Sequence, residues 1–181
     1  FEVVKQACGA MALWQQQTGR ADLRLSVNVS ARTLGARDLI SRLKEILSKT
    51  GLQQGGLLLE ITETALVQDI PSITETITEL HHLGLKLAID DFGTGYSSIA
   101  LLRDLPVTGI KLDRSFVTSL SEPESQSYAL AQGLASLAFS IGLIGVAEGI
   151  ETPIQSAFLR GMGWTHGQGY LFGKPAALDE W

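Results

Sequence analysis

The sequence contains a single cysteine, Cys8, so it cannot form an internal disulfide and suits a reducing compartment. It also lacks any dense run of lysine and arginine, because 19 acidic residues outnumber 14 basic ones and give a formal net charge of -5. Proteins that bind long nucleic acids usually carry a basic patch. We therefore expect no polymeric nucleic acid as a partner, whereas a small anionic ligand stays compatible if metal ions intervene.

Long apolar runs are absent as well. No stretch reaches the roughly 18 apolar residues that a membrane-spanning helix requires, and the opening FEVVKQACGA lacks the layout of a signal peptide. The composition, 45% hydrophobic and 18% charged, is typical of a folded domain with a sizeable core. We therefore predict a soluble, cytoplasmic chain, with any membrane tether lying elsewhere in a longer protein.

Segments with helical spacing of apolar residues alternate with short apolar runs that are typical of strands. Helices are predicted over residues 1–19, 36–51, 71–84, 97–105, 124–142 and 152–163. Strands are predicted over residues 23–30, 56–63, 85–91, 107–113 and 143–151. This alternation indicates parallel strands joined by helical crossovers, either in a doubly wound sheet or in a barrel.

Every predicted strand ends on polar side chains. These are Asn28, Glu60, Asp90 with Asp91, Lys111 with Asp113, and Glu148. A (β/α) barrel brings all such ends to one face, whereas an open sheet binds its ligand mainly at one switch point, so the pattern favours the barrel.

An eight-unit barrel typically needs about 250 residues, and this chain opens on a helix. We expect a chain extended at its N-terminus to be more stable.

Two adjacent aspartates, Asp90 and Asp91, stand in the stretch LAIDDFGTGYSS. Neighbouring strand residues point to opposite faces, so both can serve one site only where the backbone turns, and Gly93 and Gly95 are predicted to supply that turn. Two close carboxylates raise each other's pKa unless a cation offsets the repulsion, as a pair of divalent metals does. The alternative is that Asp91 caps the following helix while Asp90 faces solvent.

Oxygen ligands of the kind that Glu60, Asn28 and Glu148 offer suit Mg²⁺ or Mn²⁺ rather than zinc. Lys111 is predicted to form a salt bridge with Asp113 or a strand-end carboxylate, or to orient a nucleophilic water. Three histidines have weaker signals: His81 and His82 fall at a predicted helix end, and His166, close to Gln168, has either a structural role or a place in the site.

Six motifs occur in an order that resembles the EAL-domain family of cyclic di-GMP phosphodiesterases. They are VNVS (27–30), EITE (60–63), DDFGTGYSS (90–98), KLDRSFV (111–117), AEGIE (147–151) and QGYLFGKP (168–175). The resemblance implies a modified TIM (β/α)8 barrel that hydrolyses cyclic di-GMP to linear pGpG with two Mg²⁺ or Mn²⁺ ions and is inhibited by Ca²⁺. It also implies a homodimer and flanking sensory or GGDEF-type domains.

The same resemblance implies a role for each matching residue. Asn28, Glu60 and Asp90 are expected to bind the first metal, with Asp90 bridging to a second metal held by Asp91 and Glu148. Lys111 is expected to hold the nucleophilic water. The catalytic residues that the resemblance implies are Lys111, Glu148 and Asp91. The remaining residues are Asp113, Glu151 and Gln168, which line the substrate and its waters, and Glu63, which anchors the DFGTGYSS loop.

One departure from the family pattern concerns the signature Glu-Ala-Leu and the substrate-contacting arginine that follows it, which this sequence lacks. Residues 1–181 are therefore expected to form an N-terminally incomplete EAL-type phosphodiesterase domain, as a piece of a complete one. The activity of such a chain stays open. The alternative is a catalytically inactive cyclic di-GMP-binding receptor or a dimerisation module.

Overall fold

Strands and helices alternate in the computed structural model, which describes residues 1–67, 70–94, 99–120 and 125–177. The strands are β1 (Leu25–Asn28), β2 (Leu57–Thr62), β3 (Lys86–Phe92), β4 (Gly109–Leu112), β5 (Ile144–Ala147) and β6 (His166–Gly167). The helices are α1 (Glu2–Thr18), α2 (Ala31–Leu34), α3 (Leu39–Thr50), α4 (Glu63–Val67), α5 (Ile70–His82), α6 (Ile99–Asp104), α7 (Arg114–Thr118), α8 (Gln126–Ser140) and α9 (Pro153–Met162).

The order of the strands distinguishes the barrel, which the polar strand ends favour, from the doubly wound sheet. The six strands are hydrogen-bonded in chain order in one sheet, and the pairs β1–β2, β4–β5 and β5–β6 are parallel. A doubly wound sheet reverses its strand order at a switch point, and this sheet has no reversal. The prediction of barrel-type strand order is therefore confirmed.

The chain divides into two compact units, one of residues 1–88 and 98–107 and the other of residues 89–97 and 108–181. In the first unit, α1 contacts α3 and β1, and the core consists of aliphatic side chains. Members of this core with under a tenth of their surface exposed include Leu34, Leu39, Leu43, Leu57, Leu59 and Leu80. Cys8 is buried in α1, as a packed helix residue.

In the second unit, α8 contacts α9, β4 and β5. Small side chains allow the close approach, since Ala131, Ala135 and Ala138 are the buried residues of α8. The indole N–H of Trp164 donates a hydrogen bond to the Ala131 carbonyl at 3.2 Å. These contacts fix β4 and β5, the strands whose ends carry Lys111 and Glu148.

Two helices end at the glycines that the sequence predicts as their ends. Gly19 (φ 69°) and Gly51 (φ 75°) end α1 and α3 in the left-handed conformation that glycine tolerates. The short elements α2, α4, α7 and β6 were not predicted, because two to five residues are too few to display a period. None of the helices in the described ranges has the length and apolar character of a bilayer-spanning segment.

Candidate metal centre

The two adjacent aspartates lie at the end of β3. Asp90 is buried, with 7% of its surface exposed, so the alternative that it faces solvent is wrong. Asp91 has a φ of 54°, which turns the backbone at the point where a strand would send the second carboxylate to the opposite face. Its N–H donates a hydrogen bond to Asp90 Oδ1 at 3.0 Å. The turn thus begins at Asp91 itself, before Gly93, and Gly95 lies outside the described residues.

A third carboxylate joins this pair from the end of β5. One ligand oxygen from each of Asp90, Asp91 and Glu148 lies within 4.8 Å of the others. The Glu148 N–H donates to the Leu112 carbonyl of β4 at 3.1 Å, which fixes the start of the segment that follows β5. Three converging carboxylates are the hard oxygen donors that Mg²⁺, Mn²⁺ and Ca²⁺ prefer, so this donor set fits a divalent cation.

Lys111 lies among these carboxylates, with only 4% of its surface exposed. Its Nζ is 3.3 Å from Asp90 Oδ1 and forms a second ion pair with Glu148. The partners are therefore two strand-end carboxylates rather than Asp113. Asp113 caps α7 instead, accepting a hydrogen bond from the Ser115 N–H at 2.9 Å.

One ammonium group does not neutralise three carboxylates. Burial, followed by the negative charges of Asp90 and Asp113, raises the pKa of Asp91 above its usual value, and Lys111 opposes this only in part. A divalent cation beside Asp91 would favour its ionised form. The electrostatics of the cluster therefore favour a cation as its ligand.

The other predicted ligands, Asn28 and Glu60, belong to the first unit. Asn28 is the last residue of β1 and Glu60 is its register partner within β2, so the two lie side by side. Glu60 is 6% exposed, and its Oε1 accepts a hydrogen bond from the Ser26 hydroxyl, a residue that the sequence did not single out. Glu63 begins α4 and is 1% exposed. The loop that Glu63 is predicted to anchor includes residues 95–98, outside the described residues.

A cavity of about 180 Å³ lies beside Glu148 in the second unit. Glu151 and Gln168 line it, as two of the three predicted substrate-binding residues. Arg114 and Tyr170 line it as well. Sequence reasoning missed both, although Arg114 stands inside the KLDRSFV motif and Tyr170 inside the QGYLFGKP motif. Asp113 is not among the residues that line this cavity.

None of the three histidines joins the carboxylate cluster in the part of the chain that the structure describes. His81 and His82 are exposed at the end of α5. His166 is exposed, and its Nδ1 shares a hydrogen bond of 2.9 Å with the Thr165 hydroxyl.

Comparisons with known proteins identify similar sequences over nearly the whole chain. The sequence profile of the EAL domain matches residues 2–175. The cyclic di-GMP phosphodiesterase NbdA of Pseudomonas aeruginosa is 44% identical over 90% of this chain, and the bifunctional diguanylate cyclase/cyclic di-GMP phosphodiesterase MucR of the same species is 34% identical over 98%. The chain spans only 21% and 26% of the lengths of these two relatives.

Solved structures show the same fold. The phosphodiesterase PaMucR in complex with c-di-GMP has a TM-score of 0.93 and 34% identity, and the match covers 98% of this chain and 71% of that one. Klebsiella pneumoniae BlrP1 in its manganese and c-di-GMP complex has a TM-score of 0.87 and 28% identity over 97% of this chain and 44% of that one. A calcium and c-di-GMP complex of BlrP1 matches as well. The predicted α/β fold of EAL type is therefore confirmed.

Proposed function

The chain belongs to the EAL-domain family, and from that premise we propose that it serves metal-dependent hydrolysis of cyclic di-GMP to linear pGpG. One observation carries the proposal: the carboxylates of Asp90, Asp91 and Glu148 converge within 4.8 Å around a buried lysine. Three carboxylates this close are not expected at strand ends that bind no ligand, because their mutual repulsion is unfavourable without a cation.

Asp90, Asp91 and Glu148 are proposed to hold the divalent metal, Mg²⁺ or Mn²⁺. Asn28 and Glu60 are proposed as further ligands on the strength of the VNVS and EITE motifs. Such ions, when bound, activate a water and polarise phosphoryl oxygens.

Lys111 has two tasks in this proposal. It fixes the carboxylates of Asp90 and Glu148 through its ion pairs. It also places a positive charge where the negative charge of a reacting phosphoryl group develops and where a nucleophilic water must be oriented. A buried ammonium stabilises that charge more than an exposed one does, because water screens it less.

The cavity beside Glu148 is proposed to receive part of the dinucleotide. Glu151 and Gln168 offer polar atoms there, and Tyr170 offers an aromatic ring. Asp113 is proposed to organise water near the cluster, and Glu63 to anchor the loop after β3. Homodimerisation and a flanking diguanylate cyclase domain complete the proposal, the latter because MucR is named as bifunctional.

The test is chromatographic. The chain is incubated with cyclic di-GMP and Mn²⁺, with a Ca²⁺ sample as control, and the products are separated. We expect pGpG in Mn²⁺ alone. Glu60→Ala and Lys111→Ala should abolish it, whereas Lys44→Ala, an exposed lysine of α3, should not.

Turnover that persists in both Glu60→Ala and Lys111→Ala would contradict the mechanism. Binding of cyclic di-GMP in calorimetry without any product would instead identify a receptor. A chain that neither binds nor hydrolyses the dinucleotide would reject both functions.

A further inference from the structure

Arg114 connects α7 to the segment that follows β5 and begins with the proposed metal ligand Glu148, although its own side chain is not a ligand. It is the first residue of α7, directly after the capping Asp113. Its Nη2 donates a hydrogen bond to Glu151 Oε1 at 2.7 Å, between residues 37 positions apart in the chain. Both side chains are well exposed, at 59% and 42%. An exposed ion pair contributes little to the stability of the fold by itself. What matters for the site is that this pair holds Glu151 close to α7.

The aliphatic part of Arg114 packs directly on the backbone at Gly149. A Cβ at this position would lie 2.3 Å from Arg114 Cγ and 2.9 Å from Arg114 Cβ, closer than such atoms approach. Gly149 also has a φ of 70°, which favours glycine. Two independent requirements thus make glycine necessary next to Glu148.

A second connection joins the same segment to α7. Gln155 Oε1 accepts hydrogen bonds from the N–H groups of Glu151 (2.8 Å) and Thr152 (3.0 Å). The Gln155 amide donates to the Val117 carbonyl of α7 at 3.3 Å. Since the Glu148 N–H is bonded to β4, the segment 148–152 is fixed at its start by β4 and at its end by α7.

We propose that Arg114 is a positioning residue for the metal centre: it holds segment 148–151 so that the Glu148 carboxylate stays beside Asp90 and Asp91. The inference rests on the proposed metal-dependent function. Arg114 acts through Gly149, by packing, and through Glu151, by its hydrogen bond. Groups that orient metal ligands typically change metal affinity about 10- to 100-fold when they are removed.

A positioning role and a purely electrostatic role predict opposite changes in Mn²⁺ affinity when Arg114 is removed. A positive charge near a cation site repels the cation, so charge alone predicts that Mn²⁺ binds more tightly once Arg114 is removed. Loss of positioning predicts weaker binding, by about tenfold. The direction of the change therefore separates the two explanations without any measurement of turnover.

The experiment measures the Mn²⁺ dissociation constant of the full 181-residue chain by isothermal titration calorimetry. Arg114→Ala should weaken binding about tenfold. Arg114→Met, which keeps a stem over Gly149 but loses the bond to Glu151, should lie between Ala and wild type. Arg114→Lys, which keeps both stem and charge, should recover most of the affinity. Arg103→Ala is the matched control, because it also removes one exposed arginine from a salt bridge.

Two results would overturn the proposal. Unchanged or tighter Mn²⁺ binding in Arg114→Ala, or in Arg114→Met should the alanine variant fail to fold, would contradict a positioning role for Arg114. An equal loss in Arg103→Ala would show that the weaker binding does not depend on the contacts that Arg114 makes with Gly149 and Glu151. If the wild-type chain binds no Mn²⁺ at all, the proposed metal-dependent function fails as well, which distinguishes that failure from a failure of the role of Arg114 alone.

Discussion

Lys111 is the residue on which the charge balance of the candidate metal centre depends. It is almost fully buried, and its partners, Asp90 and Glu148, come from β3 and from the end of β5. Burying a lysine is costly unless it is paired. In the metal-free chain this lysine supplies part of the positive charge that the carboxylates require.

Lys111→Met should therefore destabilise the metal-free chain more than the metal-loaded one. Removing one member of a buried ion pair leaves the other charge uncompensated and costs about 3–5 kcal/mol; we expect roughly 3, since the Glu148 side chain is 19% exposed. Saturating Mn²⁺ should restore part of the loss, because it supplies the missing positive charge. Urea unfolding with and without Mn²⁺ measures both values. Lys44→Met is the control, and equal losses under both conditions would contradict the argument.

Asp91→Asn should raise the melting temperature of the metal-free chain at neutral pH. The pKa of Asp91 is raised in the folded chain, so its stabilising contribution is complete below the unfolded pKa and is lost as pH rises through the folded pKa. Asparagine resembles the protonated form and tolerates a φ of 54°. We expect a rise of no more than about 4 °C.

The gain from Asp91→Asn should vanish at acidic pH, where Asp91 is itself protonated. Asp22→Asn provides a control of opposite sign, because the hydrogen bond from Arg20 lowers the pKa of Asp22. A gain in Asp91→Asn that is independent of pH would refute the electrostatic explanation. At neutral pH, Mn²⁺ binding should weaken in Asp91→Asn, because the variant lacks one of the proposed carboxylate ligands.

At the scale of secondary-structure elements, two glycines of the second unit have contrasting surroundings. Gly93 follows β3 with a φ of 99°, and a Cβ there would lie 3.0 Å from the Phe116 ring and 3.3 Å from Leu134 Cδ1. Gly133 lies inside α8, where a Cβ would meet nothing within 4 Å. The end of β3 therefore needs its glycine, whereas α8 does not.

Gly93→Ala should lower the free energy of unfolding by roughly 1–3 kcal/mol, because the methyl group overpacks the contact with Phe116 and the backbone favours glycine. Gly133→Ala should raise it by about 1 kcal/mol, because alanine has the higher helix propensity. Chemical unfolding of both variants checks the pair. If both variants changed the free energy of unfolding by the same amount and in the same direction, the explanation by local surroundings would be wrong.

At the scale of the whole molecule, a net charge of -5 favours the binding of cations and opposes the direct approach of an anionic dinucleotide. The charge is unevenly distributed, since residues 1–50 contain eight basic and four acidic residues and the excess of acid lies in the remainder. We therefore expect the proposed metal ions to favour the binding of the anionic dinucleotide as well as its hydrolysis.

Metal binding should stabilise the whole chain by mass action. A ligand at 100 times its dissociation constant adds about 2.7 kcal/mol when it binds only the folded state, which corresponds to a rise of about 5–10 °C in melting temperature for a chain of this size. Thermal unfolding in Mn²⁺ and in EDTA measures the difference. The double variant Asp90→Asn/Glu148→Gln should show no rise, and a rise of equal size in that variant would place the binding elsewhere.

The sequence by itself determined the fold class and most of the candidate site, because those signals are local. Apolar periodicity predicts each long element, and the polar residue at the end of each strand is read directly from the chain. The conformation of Asp91, the two partners of Lys111 and the packing of Arg114 on Gly149 were decided only by the tertiary structure. Each depends on backbone geometry or on contacts between residues far apart in the chain, as with Arg114 and Glu151, and no short window of sequence specifies those.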